Sequence, residues 1–114
     1  MDEQPRRLAE GGAVRAPANS SLRGFTVQDL TPELRERLGL APDTPGVVIT
    51  DMDRASPAAQ SGLQPGDVIM SINRQPVRSA EDFERLAADT TGETRLRVNR
   101  YGRVGTVYIS PGEE

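Results

Sequence analysis

Histidine, cysteine and lysine are all missing from this sequence, and their absence decides most of its chemistry. Without imidazole or thiol there is no Ser-His-Asp or Cys-His pair, no nitrogen or sulfur ligand for zinc, and no disulfide. All 14 basic residues are arginine, which stays protonated and cannot serve as a general base. Ser71 and Asp67 lie close in sequence, but no base is at hand to activate the hydroxyl. Asp51-Met52-Asp53 has the spacing that opens a calcium loop, yet Ala55 and Ser56 stand where an oxygen ligand and a glycine are needed. Gly102-Arg103-Val104-Gly105 matches the Gly-x-x-Gly loop of an RNA-binding module, but that loop joins two helices and this one falls at a hairpin. The expectation is a chain with no catalytic residue, no metal site and no cofactor. It is not expected to be an enzyme on its own.

The charge balance narrows what it binds. A net charge of −3, with both signs interspersed, leaves no basic face for nucleic acid. No apolar run reaches the roughly 18–20 residues of a membrane span, and no apolar stretch follows Met1-Asp2-Glu3-Gln4-Pro5-Arg6-Arg7 as a signal peptide requires. With 114 residues, 35% of them apolar and 4% aromatic, the chain can bury one modest core.

The elements that must position a binding surface follow from local pattern. Residues 1–21 are polar and rich in Gly, Ala, Arg and Pro without helical or strand period, and read as a flexible linker or an appended, non-native tail. Order is expected from Leu22. Phe25-Thr26-Val27-Gln28 alternates as a strand does. Thr31-Pro32-Glu33-Leu34 opens a short helix, with Thr31 as N-cap and Gly39 as stop. Gly46 to Thr50 is a strand buried on both faces, and Ser56-Pro57 begins another short helix. Val68 to Asn73 is a strand, and Ser79 caps the main helix with Asp82 in the capping-box place. Arg95 to Arg100 and Thr106 to Ile109 form a hairpin about Tyr101-Gly102. About five strands and three helices make a small α+β domain over residues 22–110, with a short C-terminal tail at 111–114.

One stretch is far more specific than the rest. Ser56-Pro57-Ala58-Ala59-Gln60-Ser61-Gly62-Leu63-Gln64-Pro65-Gly66-Asp67-Val68-Ile69-Met70-Ser71-Ile72-Asn73 resembles the central run of PDZ domains, with every fixed place filled. The resemblance implies a PDZ-like, five- to six-stranded, partly open β-barrel capped by one main helix and one or two short ones. These residues are scaffold: small alanines for close packing, turn glycines, and Val68, Ile69 and Ile72 for the core.

Binding is implied elsewhere. An exposed strand edge carries unpaired N–H and C=O groups that an extended peptide can continue. Leu22-Arg23-Gly24-Phe25 resembles the family's carboxylate-binding loop, which assigns Arg23, Gly24 and Phe25 to a ligand's terminal carboxylate. Thr26, Val27 and Gln28 continue Phe25 as the peptide-binding strand, and Ala80, Glu84 and Ala87 line the facing helix. Phe25, Val27 and Ala87 would then meet the ligand's last side chain, and the small alanines leave space for an apolar end of moderate to large size. Arg23 departs from the apolar residue usual there, and its guanidinium could draw in the carboxylate or block the pocket. The edge is expected to be bare; an edge covered by the chain itself would point to a spacer or docking part.

Nothing strand-like precedes Leu22, and Thr106 to Ile109 can replace the missing first strand, as in the permuted PDZ domains of bacteria. The extra helix Leu30 to Leu40 followed by Gly46-Val47-Val48-Ile49 is similar to PDZ domains of DegP-like (HtrA-family) periplasmic serine proteases, most of all the second, C-terminal one. The resemblance implies a non-catalytic module of a secreted serine endopeptidase whose catalytic residues lie upstream. Implied partners are protein C-termini or extended, unfolded segments, together with the protease domain and other PDZ domain of the parent chain. The implied location is periplasmic or extracytoplasmic. The alternatives are an inter-domain or oligomer docking role without carboxylate binding, and a PDZ domain of another bacterial protease or secretion component.

Overall fold

The computed structural model describes residues 13–16, 20–90 and 92–110. In chain order the elements are β1 (Val14–Arg15), β2 (Phe25–Asp29), α1 (Pro32–Arg37), β3 (Val47–Met52), α2 (Pro57–Gln60), β4 (Val68–Ile72), β5 (Gln75–Pro76), α3 (Ala80–Ala88), β6 (Thr94–Arg100) and β7 (Arg103–Ile109). The five longer strands are the ones the alternation predicts. The two additional ones, β1 and β5, are two residues each and too short to show a period.

Helix starts follow their caps. Thr31 Oγ1 accepts from Leu34 N–H, Ser56 Oγ from Ala59 N–H and Ser79 Oγ from Asp82 N–H, each at 3.1 Å. The Asp82 carboxylate reaches one residue beyond the usual capping-box partner and accepts from Arg78 N–H at 3.2 Å. The β6–β7 hairpin closes on two residues, Tyr101 and Gly102, both at positive φ as a type I′ turn requires. That tight turn is why β7 begins at Arg103, three residues ahead of Thr106.

All the strands lie in one antiparallel sheet ordered β1-β2-β3-β4-β6-β7, with β5 paired to β4. The sheet does not close into a barrel among the described residues, because its two ends, β1 and β7, form no ladder with each other. The core gathers Leu22, Phe25, Val27, Ile49, Ile69 and Ile72 with Ala80, Phe83 and Ala87 of α3. Phe25 and Phe83 meet at 5.6 Å between ring centres, tilted by 49°, so β2 and α3 share one aromatic contact. Asp67, fully buried, receives a two-pronged grip from Arg100, with Nε to Oδ1 at 2.7 Å and Nη2 to Oδ2 at 2.8 Å. This pins the Gly66-Asp67 turn to the end of β6. Hydrogen bonding to Asp67 is the main cause that raises the Arg100 pKa above the ordinary guanidinium value.

The stretch read as linker carries structure in part. Val14–Arg15 is a strand, Ala16 is buried, and Ser20 and Ser21 are buried ahead of Leu22. Residues 1–12, 17–19 and the tail at 111–114 lie outside the described residues.

Candidate functional site

The candidate site is a groove between β2 and α3. Its walls are tied together at both ends. At one end Ser21 N–H donates to Thr90 O at 2.8 Å, and Ser21 Oγ donates to Gly92 O at 2.6 Å, fixing the loop before β2 to the end of α3. At the other, Ala80 N–H donates to Asp29 Oδ1 at 2.6 Å, so the last residue of β2 caps the start of α3. Neither Ser21 nor Asp29 is among the site residues the sequence suggests. Only the spacing between β2 and α3 in space makes their bonds possible, and they lie 51 or more residues from their partners.

Of the suggested residues, Phe25, Val27, Ala80 and Ala87 share the core at the groove floor. Thr26 and Gln28 alternate with them as half-buried residues, as period 2 demands. Glu84 is exposed on α3, whereas Ala80, Phe83 and Ala87 form that helix's buried face. Phe83 is thus part of the groove's backing as well as of the core. β3 carries a bulge at Thr50, opposite Thr26 and Val27 of β2.

The Arg23-Gly24-Phe25 turn is set by its neighbours. Gly24 has φ +94°, a conformation that L side chains rarely adopt, and a Cβ there would collide with Ser56 Cβ. Gly24 O accepts from Asp53 N–H at 2.7 Å. Arg23 N–H donates to Ser20 O at 3.1 Å, and its Nη1 donates to the same carbonyl at 3.2 Å. In this conformation the Arg23 amide is turned into the loop, and its guanidinium is held at the rim. A cavity of about 500 Å³ opens here, lined by Arg15, Ala16, Arg23, Gly24, Asp53 and Ser56 among others. Two arginines against one aspartate give its mouth a positive excess that suits a carboxylate.

The edge of β2 is not bare: the expectation of an open edge is corrected, and a covered edge is the arrangement that points to a spacer or docking part, although the covering strand spans only two residues. β1 pairs with it antiparallel, Val14 opposite Val27 and Arg15 opposite Thr26, and Ala16 N–H donates to Phe25 O at 3.0 Å. β1 also lies against α3, so it occupies the groove itself. Unpaired backbone groups over an apolar floor favour any extended segment within reach, and the chain supplies its own. Ala13-Val14-Arg15-Ala16 alternates small or apolar with charged, but over too few residues to stand out in a polar stretch.

Comparison with known proteins agrees with this architecture. The family described as PDZ domain matches residues 48–100. Two relatives named probable periplasmic serine endoprotease DegP-like are similar. The one from Chlamydia pneumoniae is 43% identical over 71% of this chain and 17% of its own length. The one from Pseudomonas putida (strain F1) is 39% identical over 91% and 21%. The chain thus spans about a fifth of the length of these curated relatives. Among solved structures, the HtrA-type protease AlgW with decapeptide aligns with TM-score 0.67 and 36% identity, over 76% of this chain and 27% of that one. The HtrA3 PDZ domain bound to a phage-derived ligand (FGRWV) aligns with TM-score 0.65 at 22% identity, over 78% and 82%, and speaks for the fold alone.

Proposed function

We propose that this chain, a PDZ domain of the kind found in DegP-like (HtrA-type) serine endoproteases, binds extended polypeptide by strand addition to β2 and serves such a protease as its recognition module. The observation that carries the reading is β1 itself: an extended segment lies antiparallel on β2 with α3 on its other side. The groove therefore takes a strand, and a covering strand of two residues is short enough to be displaced. AlgW, aligned with this chain, was solved with a decapeptide, which supports the same role here.

In the proposed complex a ligand's backbone pairs with Thr26, Val27 and Gln28, and its last side chain lies over Phe25, Val27 and Ala87. Its terminal carboxylate faces the Gly24 and Phe25 amides beside the Arg23 guanidinium. Glu84 on the exposed side of α3 selects for a basic or hydroxylated residue further up the ligand. The partners are protein C-termini or unfolded segments, met outside the cytoplasm, in keeping with the periplasmic names of the relatives. Strand hydrogen bonds at a net of about 1 kcal/mol each and one buried side chain at about 1.5–3 kcal/mol compete with the cost of ordering the peptide and of displacing β1. The result is micromolar or weaker binding.

Titrating the chain with apolar-ended peptides as free acid and as amide tests this. Tighter binding of the acid supports the carboxylate assignment. Equal affinity removes that role from the Arg23-Gly24-Phe25 loop, and no binding of either form removes the groove.

A further inference from the structure

We propose that Ala13–Ala16 is a built-in ligand of the groove, and that its pattern, apolar–charged–small as in Val14-Arg15-Ala16, is the ligand class the groove prefers. This rests on the peptide-binding reading above and adds an occupant and a specificity to it. Three observations converge. The segment runs antiparallel to β2 and toward the Arg23-Gly24-Phe25 turn, which brings Ala16 opposite Phe25 where a terminal residue would sit. Its side chains alternate as a bound strand's must: Val14 is half-buried and packs on the core, Arg15 is exposed, and Ala16 is 6% exposed within the core. Ala16 also borders the 500 Å³ cavity beside Gly24, although the chain continues past it and offers no carboxylate there. The groove thus holds a segment by backbone and side chains alone, and a terminal carboxylate is an addition to that grip. A ligand must compete with the segment, so the full chain binds more weakly than its groove.

The probe is a synthetic peptide copying Glu10 to Ala16, acetylated at its start and ending in a free carboxylate or an amide. It is titrated into the full chain and into full chains carrying Ala16→Pro, which removes the N–H bonded to Phe25 O, or Val14→Asp, which places a charge on the apolar floor. A segment seated nine-tenths of the time lowers apparent affinity about tenfold, so both variants should bind the probe about tenfold tighter than the unaltered chain. Equal affinities across the three chains would overturn the proposal, as would failure of folded variants to bind a probe when they still bind apolar-ended peptides.

A second measurement needs no ligand. Since Ala16 and Phe25 form a hydrogen-bonded pair, Arg15 and Thr26 fall at the closer, non-bonded pair, with Cα atoms about 4.5 Å apart, within disulfide range. The chain has no cysteine, so Arg15→Cys with Thr26→Cys should cross-link cleanly in air. Absence of the cross-link in the folded chain also overturns the proposal. If folded variants bind no peptide of any kind while the cross-link forms, the peptide-binding reading fails and the seating of the segment stands.

Discussion

Replacing Gly24 by alanine should damage the site more than any other single methyl group, and the size of the effect follows from two separate terms. The first is backbone strain: an L residue in the positive-φ region costs about 1–2 kcal/mol. The second is contact, because the new Cβ collides with Ser56 Cβ at the N-cap of α2. Relieving it moves either the loop or the helix start, a change of the overpacking kind worth about 1–3 kcal/mol. The sum is roughly 2–5 kcal/mol. Gly39→Ala is the control. Gly39 has φ +73° and open space within 4 Å of where an alanine methyl would lie, so it bears the first term alone. Urea unfolding followed by fluorescence of the two tyrosines measures both, with the slope m held equal to confirm two-state behaviour. The expected result is that Gly24→Ala loses at least about 1 kcal/mol more than Gly39→Ala, together with its peptide binding. Equal losses would refute the claim that the turn is held against α2.

Four further outcomes follow from other contacts. Asp67 is 1% exposed and Arg100 42% exposed at the side chain, so removing Arg100 strands a buried carboxylate while removing Asp67 frees a guanidinium to water. Arg100→Ala should cost about 2–3 kcal/mol and Asp67→Ala about 1–2, and the reverse order in denaturant midpoints would contradict this. Because the Arg100 pKa is raised, the guanidinium's contribution is complete below its unfolded value and is lost as pH rises through the still higher folded one. It is therefore constant across pH 6–9, as parallel unfolding curves of Arg100→Ala and the unaltered chain would show. Asp29→Ala should lose about 1 kcal/mol and weaken peptide binding by letting the groove walls part, whereas Asp29→Asn, which keeps the acceptor for Ala80 N–H, should retain most of both. Glu84→Arg sits on an exposed turn of α3 and should change stability by under about 0.5 kcal/mol; calorimetry should show peptides with an upstream basic residue binding about threefold more weakly at low salt, the difference fading as salt rises.

What the sequence made legible was whatever rests on local chemistry. The three N-caps, the Tyr101-Gly102 hairpin and the five longer strands each depend on neighbours within a few residues, and each appears in place. The PDZ-like run from Ser56 to Asn73 fixed the fold because its small residues and turns suit few other arrangements. The parts hidden from sequence are the ones made by distant pairs. The Asp67–Arg100 grip joins residues 33 apart, Asp29 reaches Ala80 across 51, and Ser21 reaches Gly92 across 71. Nothing in the type or spacing of these residues announces a partner. β1 was concealed for a different reason: its two residues stand among Gly, Ala, Arg and Pro, and a strand that short owes its form to the edge it pairs with.

That borrowed form bears on how a recognition edge can exist at all. A groove built to take a strand must present unpaired backbone groups, which invites pairing with any passing chain. The other end of this sheet, β7, is long and exposed, and it is flanked by Arg95, Arg97 and Arg103, the charged kind of protection that edge strands commonly carry. Charge cannot protect β2 in the same way, because its inward residues Phe25 and Val27 are buried in the core. A short covering strand meets both needs. Two paired residues and one further hydrogen bond satisfy part of the edge at rest. At about 1 kcal/mol net per bond, less the entropy of ordering the segment, they hold it only weakly. A longer β1 would shut the groove to weak peptides and none at all would leave an adhesive edge, so on the proposed reading the length of the covering strand sets the affinity threshold that a ligand must pass.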